Sequence, residues 1–369
     1  MKRSATGKPV TLKQIAELTH CSVAAVSTAL NNPQSNSGVS AERRARIKAA
    51  AAKLGYHPNF ASRSLRQARS RTIGVYVQPK VWRDIGNDYE ISIFKGIERA
   101  AVEHGYDILV LNMNSQILPE ICAERLAERR IDGLILLHAD RRADWIDQLA
   151  AISDCVVAVD CCDATGKLSR VLFDDVAAIR MAVKHLADLG HRRIGYAGVC
   201  TVDGLEEAAD RETPFRAAVA EFGLDQSAEL IHNIDNCEPL IDPASPRCQL
   251  EGCQAMRYFL SLPVPPTAVV AYNSMVATMM LHEARKRKVK VPGELSIIGI
   301  DDYAYLHMLE TLPTVVDHRL PELGYAGGTM LIDLIEGKLS APALQMLGPE
   351  LLPGETTARL QNCDCRISK

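Results

Sequence analysis

The sequence predicts a small all-α head followed by a larger α/β body with doubly wound parallel sheets. Two observations lead to this prediction. Residues 1–71 contain 13 Lys or Arg and only two acids, whereas the remainder contains 29 Lys or Arg and 43 acids. From Thr72 onward, short β-rich runs alternate with amphipathic helical segments, which is typical of parallel sheets covered by helices. A chain of 369 residues is long enough to form two or three hydrophobic cores.

The first two predicted helices lie between Thr11 and Asn32. Thr11 followed by Gln14 is typical of a capping box. The apolar stripe of the first helix consists of Leu12, Ile15, Ala16 and Leu18. A break at His20-Cys21 precedes Ser22, which is a favourable N-cap for the second helix. The stretch therefore predicts a helical hairpin with a tight turn.

The second helix has two faces of different character. Its predicted inward residues are Val26, Ala29 and Leu30, and its predicted outward residues are Val23, Ala24, Ser27 and Thr28. Small uncharged side chains at the start of a helix allow close approach to a DNA major groove, as in recognition helices. An ordinary helical hairpin would share this pattern, so the stretch alone does not decide its function.

A third helix is predicted from its N-cap Ser40 to Leu54, with Gly55 at its end. Its buried stripe is Ile47, Ala50, Ala51 and Leu54, and its outer face carries Arg43, Arg44, Arg46 and Lys48. Three such helices form a core of the helix-turn-helix kind. A basic head on an acidic body indicates a module that binds a polyanion. A solvated basic tail would fit poorly, because this head also has helix caps and apolar periodicity.

The segment after the third helix begins with Pro58-Asn59, a helix-start signal. The following 60–67 stretch is barely two helical turns, which is too short to be stable alone. We therefore expect this segment to fold only when it packs against something else.

The body contains two successive series of strands and helices. Strands are predicted at Thr72–Val77, Asp107–Leu111, Gly133–Leu137, Val156–Val159, Arg193–Ala197, Glu229–His232, Thr267–Ala271 and Leu295–Gly299. Helices are predicted at Ile91–His104, Leu118–Arg129, Trp145–Ile152, Val176–Leu189, Thr213–Phe222, Leu250–Leu260 and Ser274–Arg287. Gly105, Gly190 and Gly223 are expected to terminate helices. Two series indicate two similar lobes, with a cleft at the carboxyl ends of their strands.

A family resemblance covers almost the whole chain. Its motifs in the head are TLKQIAELTHCSVAAVSTALNN, VSAERRARIKAAAAKLGYHPN, ASRSLR and RTIGV. Its motifs in the body are FKGIERAAVEHGYDILVLN, RRIDGLILL, VVAVD, AVKHLADLGHRRIGYAG, PPTAVVAYN, VPGELSIIGIDD and LPTVV. In order and spacing the sequence resembles the lactose repressor/galactose repressor (LacI/GalR) family of bacterial transcription regulators.

The resemblance implies a domain organisation. A DNA-binding domain at 1–57 would be followed by a hinge at 58–71 and an effector-binding and dimerisation domain at 72–369. The last would have a two-lobed, periplasmic-binding-protein-like core, with lobe one at about 72–170 and 319–348 and lobe two at about 171–318 and 349–369. The chain would then cross between lobes near Ser169–Val171, Asp317–Leu320 and Leu347–Leu352.

The resemblance also implies how the protein would contact DNA. The hinge would form a paired helix that inserts Leu65 into the minor groove, although simple packing of the hinge would also explain this leucine. Thr28 stands where the family commonly has an arginine that reads guanine, and threonine cannot make that bidentate contact. The predicted DNA-binding residues are Thr11, Ser22, Val23, Ala24, Ser27, Thr28, Asn31, Asn59, Ser62 and Leu65.

The expected effector site lies in the cleft, where polar and aromatic groups follow strand ends. Its predicted residues are Tyr89, Glu90, Asp160, Arg211, Asn273 and Asp301. These side chains suit a hydroxyl-rich ligand such as a sugar, although Asp160 and Asp301 could instead be structural caps. Arg211 is a firmer candidate than these aspartates, because an unpaired arginine at a cleft needs an anionic or hydroxyl-bearing partner. Several positions depart from the family pattern, namely Glu90, Pro214, Ser274 and Glu238–Arg247, so the ligand is not carried over.

Other functional classes receive less support. A solute-binding protein of a transporter would need an export signal and would lack the basic head, and an enzyme would need a phosphate-binding loop or nucleophile motif that the sequence does not show. The 11 cysteines lack paired CxxC spacing, so we expect no metal site and no cofactor. We expect a cytoplasmic homodimeric repressor that binds a near-palindromic DNA operator and a small-molecule effector, without membrane contact.

Overall fold

The computed structural model describes residues 10–31, 39–56, 69–77, 88–111, 120–137, 144–161, 166–199, 211–234 and 248–360. The chain divides into two compact units, a head at Met1–Ser70 and a body at Arg71–Lys369. Within the described part of the chain, none of the helices has the length and apolar character needed to cross a membrane.

The described residues of the head form three helices, α1 (Leu12–Thr19), α2 (Val23–Asn31) and α3 (Ala41–Leu54). The predicted caps are confirmed. Thr11 and Gln14 form a capping box, the Ser22 hydroxyl accepts a hydrogen bond from the Ala25 N–H, and Ser40 caps α3. The small core consists of Ile15, Ala16, Val26, Ala29, Ile47, Ala50 and Ala51. The prediction that Leu18 faces this core is wrong, because its side chain is 52% exposed.

The body follows the alternating order that the sequence predicts. In chain order its elements are β1 (Thr72–Val77), α4 (Asp88–His104), β2 (Asp107–Leu111), α5 (Glu120–Ala127), β3 (Gly133–Leu137), α6 (Asp144–Ile152), β4 (Val156–Val159), β5 (Ser169–Phe173), α7 (Asp175–Asp188), β6 (Ile194–Val199), α8 (Glu212–Glu221), β7 (Ile231–Ile234), α9 (Cys248–Ser261), β8 (Ala268–Ala271), α10 (Ser274–Lys286), β9 (Ser296–Ile300), β10 (Thr314–Asp317), α11 (Leu320–Glu336), β11 (Leu344–Leu347) and β12 (Glu350–Leu352). Short 3-10 turns lie at Ala228–Leu230 and Ala304–Met308.

Two sheets with the same topology form the two lobes, as the sequence predicts. The first has the strand order β11-β5-β4-β3-β1-β2, and the second has the order β12-β10-β9-β8-β6-β7. Among the strands in the described part of the chain, all pairings are parallel except that of β12 with β10. Because the orders match, β4 in the first lobe corresponds to β9 in the second. Gly105, Gly190 and Gly223 have positive φ angles, which confirms their predicted role in ending helices.

The chain leaves the first lobe later than the sequence predicts. Ser169–Val171 is not a crossing, because the whole of β5 belongs to the first sheet, between β4 and β11. Residues 171–173 therefore belong to the first lobe, and the crossing begins at Asp174. The alternation of buried and half-buried residues along β5 shows that one face of the strand is covered. The second crossing joins β10 to α11, and the third joins β11 to β12.

Helix α11 returns to the first lobe, where it packs against α4 and the sheet. The two helices approach each other through glycines. A Cβ atom on Gly96 would lie 1.9 Å from the Pro321 oxygen, and one on Gly324 would lie 1.9 Å from the Ile93 oxygen. The backbones of α4 and α11 are thus in direct contact. No residue larger than glycine fits at either position.

Candidate DNA-binding surface and effector cleft

The outer face of α2 carries the residues predicted to read DNA. Ser22, Val23 and Ala24 are exposed at the start of the helix, and Val23 is 46% exposed. Ser27 and Thr28 are half-buried one turn later. Thr11 and Ser22 also cap α1 and α2, and Asn31 ends α2. The predicted contacts Asn59, Ser62 and Leu65 lie outside the described residues.

The turn between α1 and α2 is fixed by groups from α3. His20 adopts a left-handed conformation, and the Thr19 hydroxyl donates to the Ile15 carbonyl at 2.7 Å. Arg46 donates from Nη2 to the Thr19 carbonyl at 3.0 Å, and Arg44 reaches the Ala29 carbonyl at 3.5 Å. Two of the four cations expected to contact phosphate therefore also support the ends of the neighbouring helices.

Two aspartates occupy equivalent places in the two lobes. Asp160 follows β4 and Asp301 follows β9, each with a positive φ angle. The Asp160 N–H donates to the Val171 carbonyl, the Asp301 N–H donates to the Val316 carbonyl, and both distances are 2.9 Å. These backbone bonds fix the aspartates at the carboxyl ends of their strands, where a cleft between doubly wound lobes is expected.

Tyrosines contact both aspartates. The Tyr89 hydroxyl donates to the Asp160 carboxylate, and the Tyr303 hydroxyl donates to Asp301 Oδ2 at 2.9 Å. Burial raises the pKa of Tyr89 well above its ordinary value, and the charges of Asp160 and Asp301 add to this effect. The phenol of Tyr89, in the first lobe, is therefore close enough to carboxylates of both lobes for their charges to affect its pKa.

The expectation that Arg211 is unpaired is wrong. It is 6% exposed, and its Nε donates to Asp175 Oδ1 at 2.7 Å. Nη1 donates to the Tyr272 carbonyl at 2.6 Å, and Nη2 lies 3.3 Å from His318 Nε2. Burial would raise the pKa of Asp175, but the charge of Arg211 and the contact with His318 outweigh it, so the pKa lies far below its ordinary value.

His318 lies on the second crossing and contacts both sides of it. Its Nδ1 is 2.5 Å from Asp301 Oδ1, and its Nε2 is 3.5 Å from Asp175 Oδ1. The imidazole also contacts Phe173, the last residue of β5, with 3.6 Å between ring centroids. Burial lowers the pKa of His318, but the charge of Asp301 exceeds this effect and raises it above 6.5. His318, on the second crossing, therefore contacts Phe173 and Asp175 beside the first crossing and Asp301 at the end of β9.

The remaining predicted effector residues serve the fold as well. Glu90 is buried in the first turn of α4. The Asn273 side chain caps α10 by accepting from the Val276 N–H at 2.9 Å, and Ser274 donates to the Ile300 carbonyl at 2.8 Å.

Sequence reasoning missed Asp175, Tyr272 and His318. Tyr272 directly precedes Asn273 at a strand end, which is a signal that could have revealed it. Within the described residues, no three His, Cys, Asp or Glu side chains converge as metal ligands would.

Comparison with known proteins agrees with both parts of the fold. A profile described as "Bacterial regulatory proteins, lacI family" matches residues 11–59, and one described as "Periplasmic binding protein-like domain" matches residues 183–357. The transcriptional repressor CytR of Escherichia coli K12 is 29% identical over 366 residues, covering 98% of this chain and 100% of CytR.

Solved structures share the same fold. The lac repressor dimer bound to operator and the anti-inducer ONPF is 24% identical, covers 95% of this chain and 100% of its own, and has a TM-score of 0.76. The CelR–cellobiose complex is also 24% identical, covers 94% of this chain and 99% of its own, and has a TM-score of 0.63. The helix-turn-helix head, the paired lobes and the full-length relatives together show that the chain belongs to the LacI/GalR family of bacterial regulatory proteins.

Proposed function

We propose that the protein is a cytoplasmic repressor whose affinity for a DNA operator is controlled by a small molecule bound in the cleft of the body. The observation that carries this proposal is the combination of two features in one chain. A basic three-helix head presents the small-residue face of α2, and a two-lobed body places Asp160 and Asp301 at equivalent strand ends. CytR, which matches over its whole length and 98% of this chain, is also named a repressor.

The DNA contacts divide into two groups. In the major groove, base edges would be read from α2 by Ser22, Val23, Ala24, Ser27 and Thr28. Thr11 and Asn31 would lie close to the sugar-phosphate backbone of the DNA. We infer that Asn59, Ser62 and Leu65 contact the minor groove, where the leucine separates a base step. Unstacking of this kind costs a few kcal/mol, which contacts with the bent duplex offset.

The operator would be near-palindromic and bound by a homodimer. One α2 helix reads only a few base pairs, and two copies related by a two-fold axis reach specific affinity. The lac repressor of similar fold was solved as a dimer on its operator. The body would carry the dimer contact, because the head is small and strongly basic.

The effector would be a sugar or another hydroxyl-rich molecule. Carboxylates at the cleft accept hydrogen bonds from hydroxyl groups, and Tyr89 and Tyr272 offer aromatic faces on which a ring can stack. CelR, a regulator with this fold, was solved with cellobiose. A solute-binding protein shares the body but would have no use for a helix-turn-helix head. An enzyme is disfavoured because the full-length relatives are named as regulators.

Selection of duplexes from a random-sequence DNA library tests the proposal. The full chain should enrich an inverted repeat, and its binding should weaken steeply as salt rises, because phosphate contacts release counterions. The matched control is Ile47→Ala, which removes most of a buried side chain from the core of the head and should leave the body folded. Failure of the wild type to enrich any sequence over this control would refute the proposal.

A further inference from the structure

Residues 353–360, here called the clasp, follow β12 and run along lobe two on the side opposite the cleft. The clasp crosses the amino end of β9, where the Ile297 N–H donates to the Thr356 carbonyl at 2.8 Å. It then reaches the end of α7, where the Leu360 N–H donates to the Leu189 carbonyl at 2.8 Å. Because the cleft is expected at the carboxyl ends of the strands, the clasp is separate from the effector site.

A buried threonine anchors the middle of the clasp. Thr356 is 0% exposed, its Oγ1 donates to the Ile297 carbonyl at 2.6 Å, and the same oxygen accepts from the Thr314 N–H at 2.9 Å. The preceding strand β12 has only three residues, and none of them is buried. A short exposed strand at the edge of a sheet opens easily. The third crossing, which leads into β12, therefore depends on the clasp for a firm attachment to lobe two.

His191 holds the far part of the clasp with both ring nitrogens. The residue is 2% exposed, its Nε2 lies 3.1 Å from the Ala358 carbonyl, and its Nδ1 lies 2.9 Å from Thr267 Oγ1. A carbonyl oxygen only accepts, so Nε2 carries the hydrogen of the neutral ring and Nδ1 accepts from the Thr267 hydroxyl. Both nitrogens of the neutral imidazole thus have a partner of the opposite kind.

A second proton on His191 disturbs this arrangement. With Nδ1 protonated, the Thr267 hydroxyl has to accept instead of donate, and its own hydrogen then turns to the Arg193 carbonyl. That carbonyl lies 3.4 Å from Thr267 Oγ1 and already accepts the Thr267 N–H at 2.9 Å. The replacement bond is at the long limit for a hydrogen bond, so the protonated ring is held by a poorer network.

The surroundings of the ring favour its neutral form. Burial lowers the pKa of His191, the hydrogen bond to the Ala358 carbonyl opposes this shift, and the charge of His185 adds to it. His185 lies on α7 and also contacts the clasp, with its Nε2 2.9 Å from Thr357 Oγ1. Burial lowers the pKa of His185 as well, against the charge of Asp188. Both histidines therefore gain a proton more easily when the clasp is open.

We propose that the clasp is an acid-sensitive connection, which protonation of His191, assisted by His185, opens, and which frees the third crossing from lobe two when it opens. Because the folded pKa values of both histidines lie below 6.5, the stability of the closed clasp is fully present above 6.5 and is lost as pH falls below 6.5. The proposal concerns the body alone, so it is independent of the DNA contacts and of the effector.

Hydrogen–deuterium exchange of the full chain at about pH 7.5 and about pH 5.5 tests the proposal. Exchange rates are divided by the intrinsic rate at each pH, which gives an equilibrium constant for the opening of each segment. The opening constant of the clasp should rise at the lower pH by up to about tenfold for each histidine, because one pH unit below 6.5 corresponds to a factor of about ten. Peptides from β3 and β4, which contain no titratable side chains, should show a smaller change.

Three substitutions assign the effect to its residues. His191→Gln keeps a donor close to the position of Nε2 but cannot gain a proton, so it should lose up to about tenfold of the acid response. The matched control is His307→Gln, which replaces an exposed histidine paired with Asp302 on the same lobe and should keep the full response. Thr356→Val removes two buried hydrogen bonds, and it should raise the opening constants of both β12 and the clasp roughly tenfold at either pH.

Three outcomes would overturn the proposal. The first is a wild-type clasp whose opening constant rises no more with acid than those of β3 and β4. The second is a folded His191→Gln variant with the full wild-type response. The third is a Thr356→Val variant that opens the clasp but leaves β12 protected from exchange. If His191→Gln does not fold, the wild-type comparison between the clasp and the strands of the first lobe decides.

Discussion

Replacement of Arg211 by alanine should destabilise the body substantially as well as disturb ligand binding. The side chain is buried, and its removal leaves Asp175 without its closest cation. It also removes the donor to the Tyr272 carbonyl at 2.6 Å. The remaining groups of the cluster are Asp175, Asp301 and His318, which then carry more negative than positive charge.

The magnitude follows from the burial of Arg211, whereas Asp175 keeps 27% of its side-chain surface exposed. Removal of one partner from a fully buried ion pair costs roughly 3–5 kcal/mol, and solvent access to the remaining carboxylate places this pair at about 3 kcal/mol. For a domain of this size, 1 kcal/mol lowers the unfolding midpoint by about 2 °C or somewhat more. Arg211→Ala should therefore lower the midpoint of the body by roughly 6–10 °C. Arg211→Ala/Asp175→Ala should recover part of this loss, because the uncompensated carboxylate is gone.

Differential scanning calorimetry of the full chain measures this effect. The matched control is Arg180→Ala, which breaks an ion pair with Glu221 in which both side chains are about half exposed. Exposed pairs contribute little to stability, so the control should change the midpoint far less than Arg211→Ala does. Equal shifts for the two variants, or a double variant that is less stable than Arg211→Ala, would refute the assignment of Arg211 to a buried ionic cluster.

Three further predictions concern the head, the hinge and the second crossing. Ile47→Ala should lower the free energy of unfolding of the head by roughly 2–5 kcal/mol and abolish operator binding, without changing the unfolding midpoint of the body. Wild-type binding by this variant in an anisotropy titration would contradict the prediction. Leu65→Ala should weaken specific binding and DNA bending but leave non-specific, salt-dependent binding nearly intact, and equal losses in gel-shift assays on operator and random DNA would contradict a wedge. Because the folded pKa of His318 is raised above 6.5, the stability it contributes is fully present below 6.5 and is lost as pH rises through the raised pKa. The difference in unfolding midpoint between His318→Asn and wild type should therefore shrink as pH rises above 6.5. A difference that does not depend on pH would show that the imidazole is neutral throughout.

Many of the regular elements with buried apolar runs were predictable from the sequence, but the strands β5 and β10 were not predicted. β3 and β4 are buried along their whole length, and their bounds match those predicted from GLILL and VVAV. The exposed β11 and the short β12 could not be recognised, because neither forms a continuous apolar run or a fully buried face. Helix α11 was missed because Gly324, Gly327 and Gly328 are unfavourable in a helix interior, and their role becomes clear only from its contact with α4.

Only part of the candidate site was predictable from the sequence, because some of its contacts join residues that are far apart along the chain. Asp160 and Asp301 were found because each directly follows a strand, which is a local signal. The pairing of Arg211 with Asp175 joins residues 36 positions apart, and that with His318 joins residues 107 positions apart. Such pairs depend on how the crossings bring the two lobes together. Local periodicity contains no information about that arrangement, so the cluster around Arg211 could be identified only from the fold.

A ligand in the cleft is expected to change the affinity of the head for DNA. The most direct test is an anisotropy titration of the selected operator, with and without a ligand found by thermal shift, for the wild type and for Asp160→Asn. The ligand should change the operator affinity of the wild type by about 5–150-fold, the usual range of allosteric coupling. Asp160→Asn should bind the operator as the wild type does without ligand and should lose the response, because the variant alters the cleft alone. A ligand that binds the cleft of the wild type but leaves its operator affinity unchanged would contradict the account.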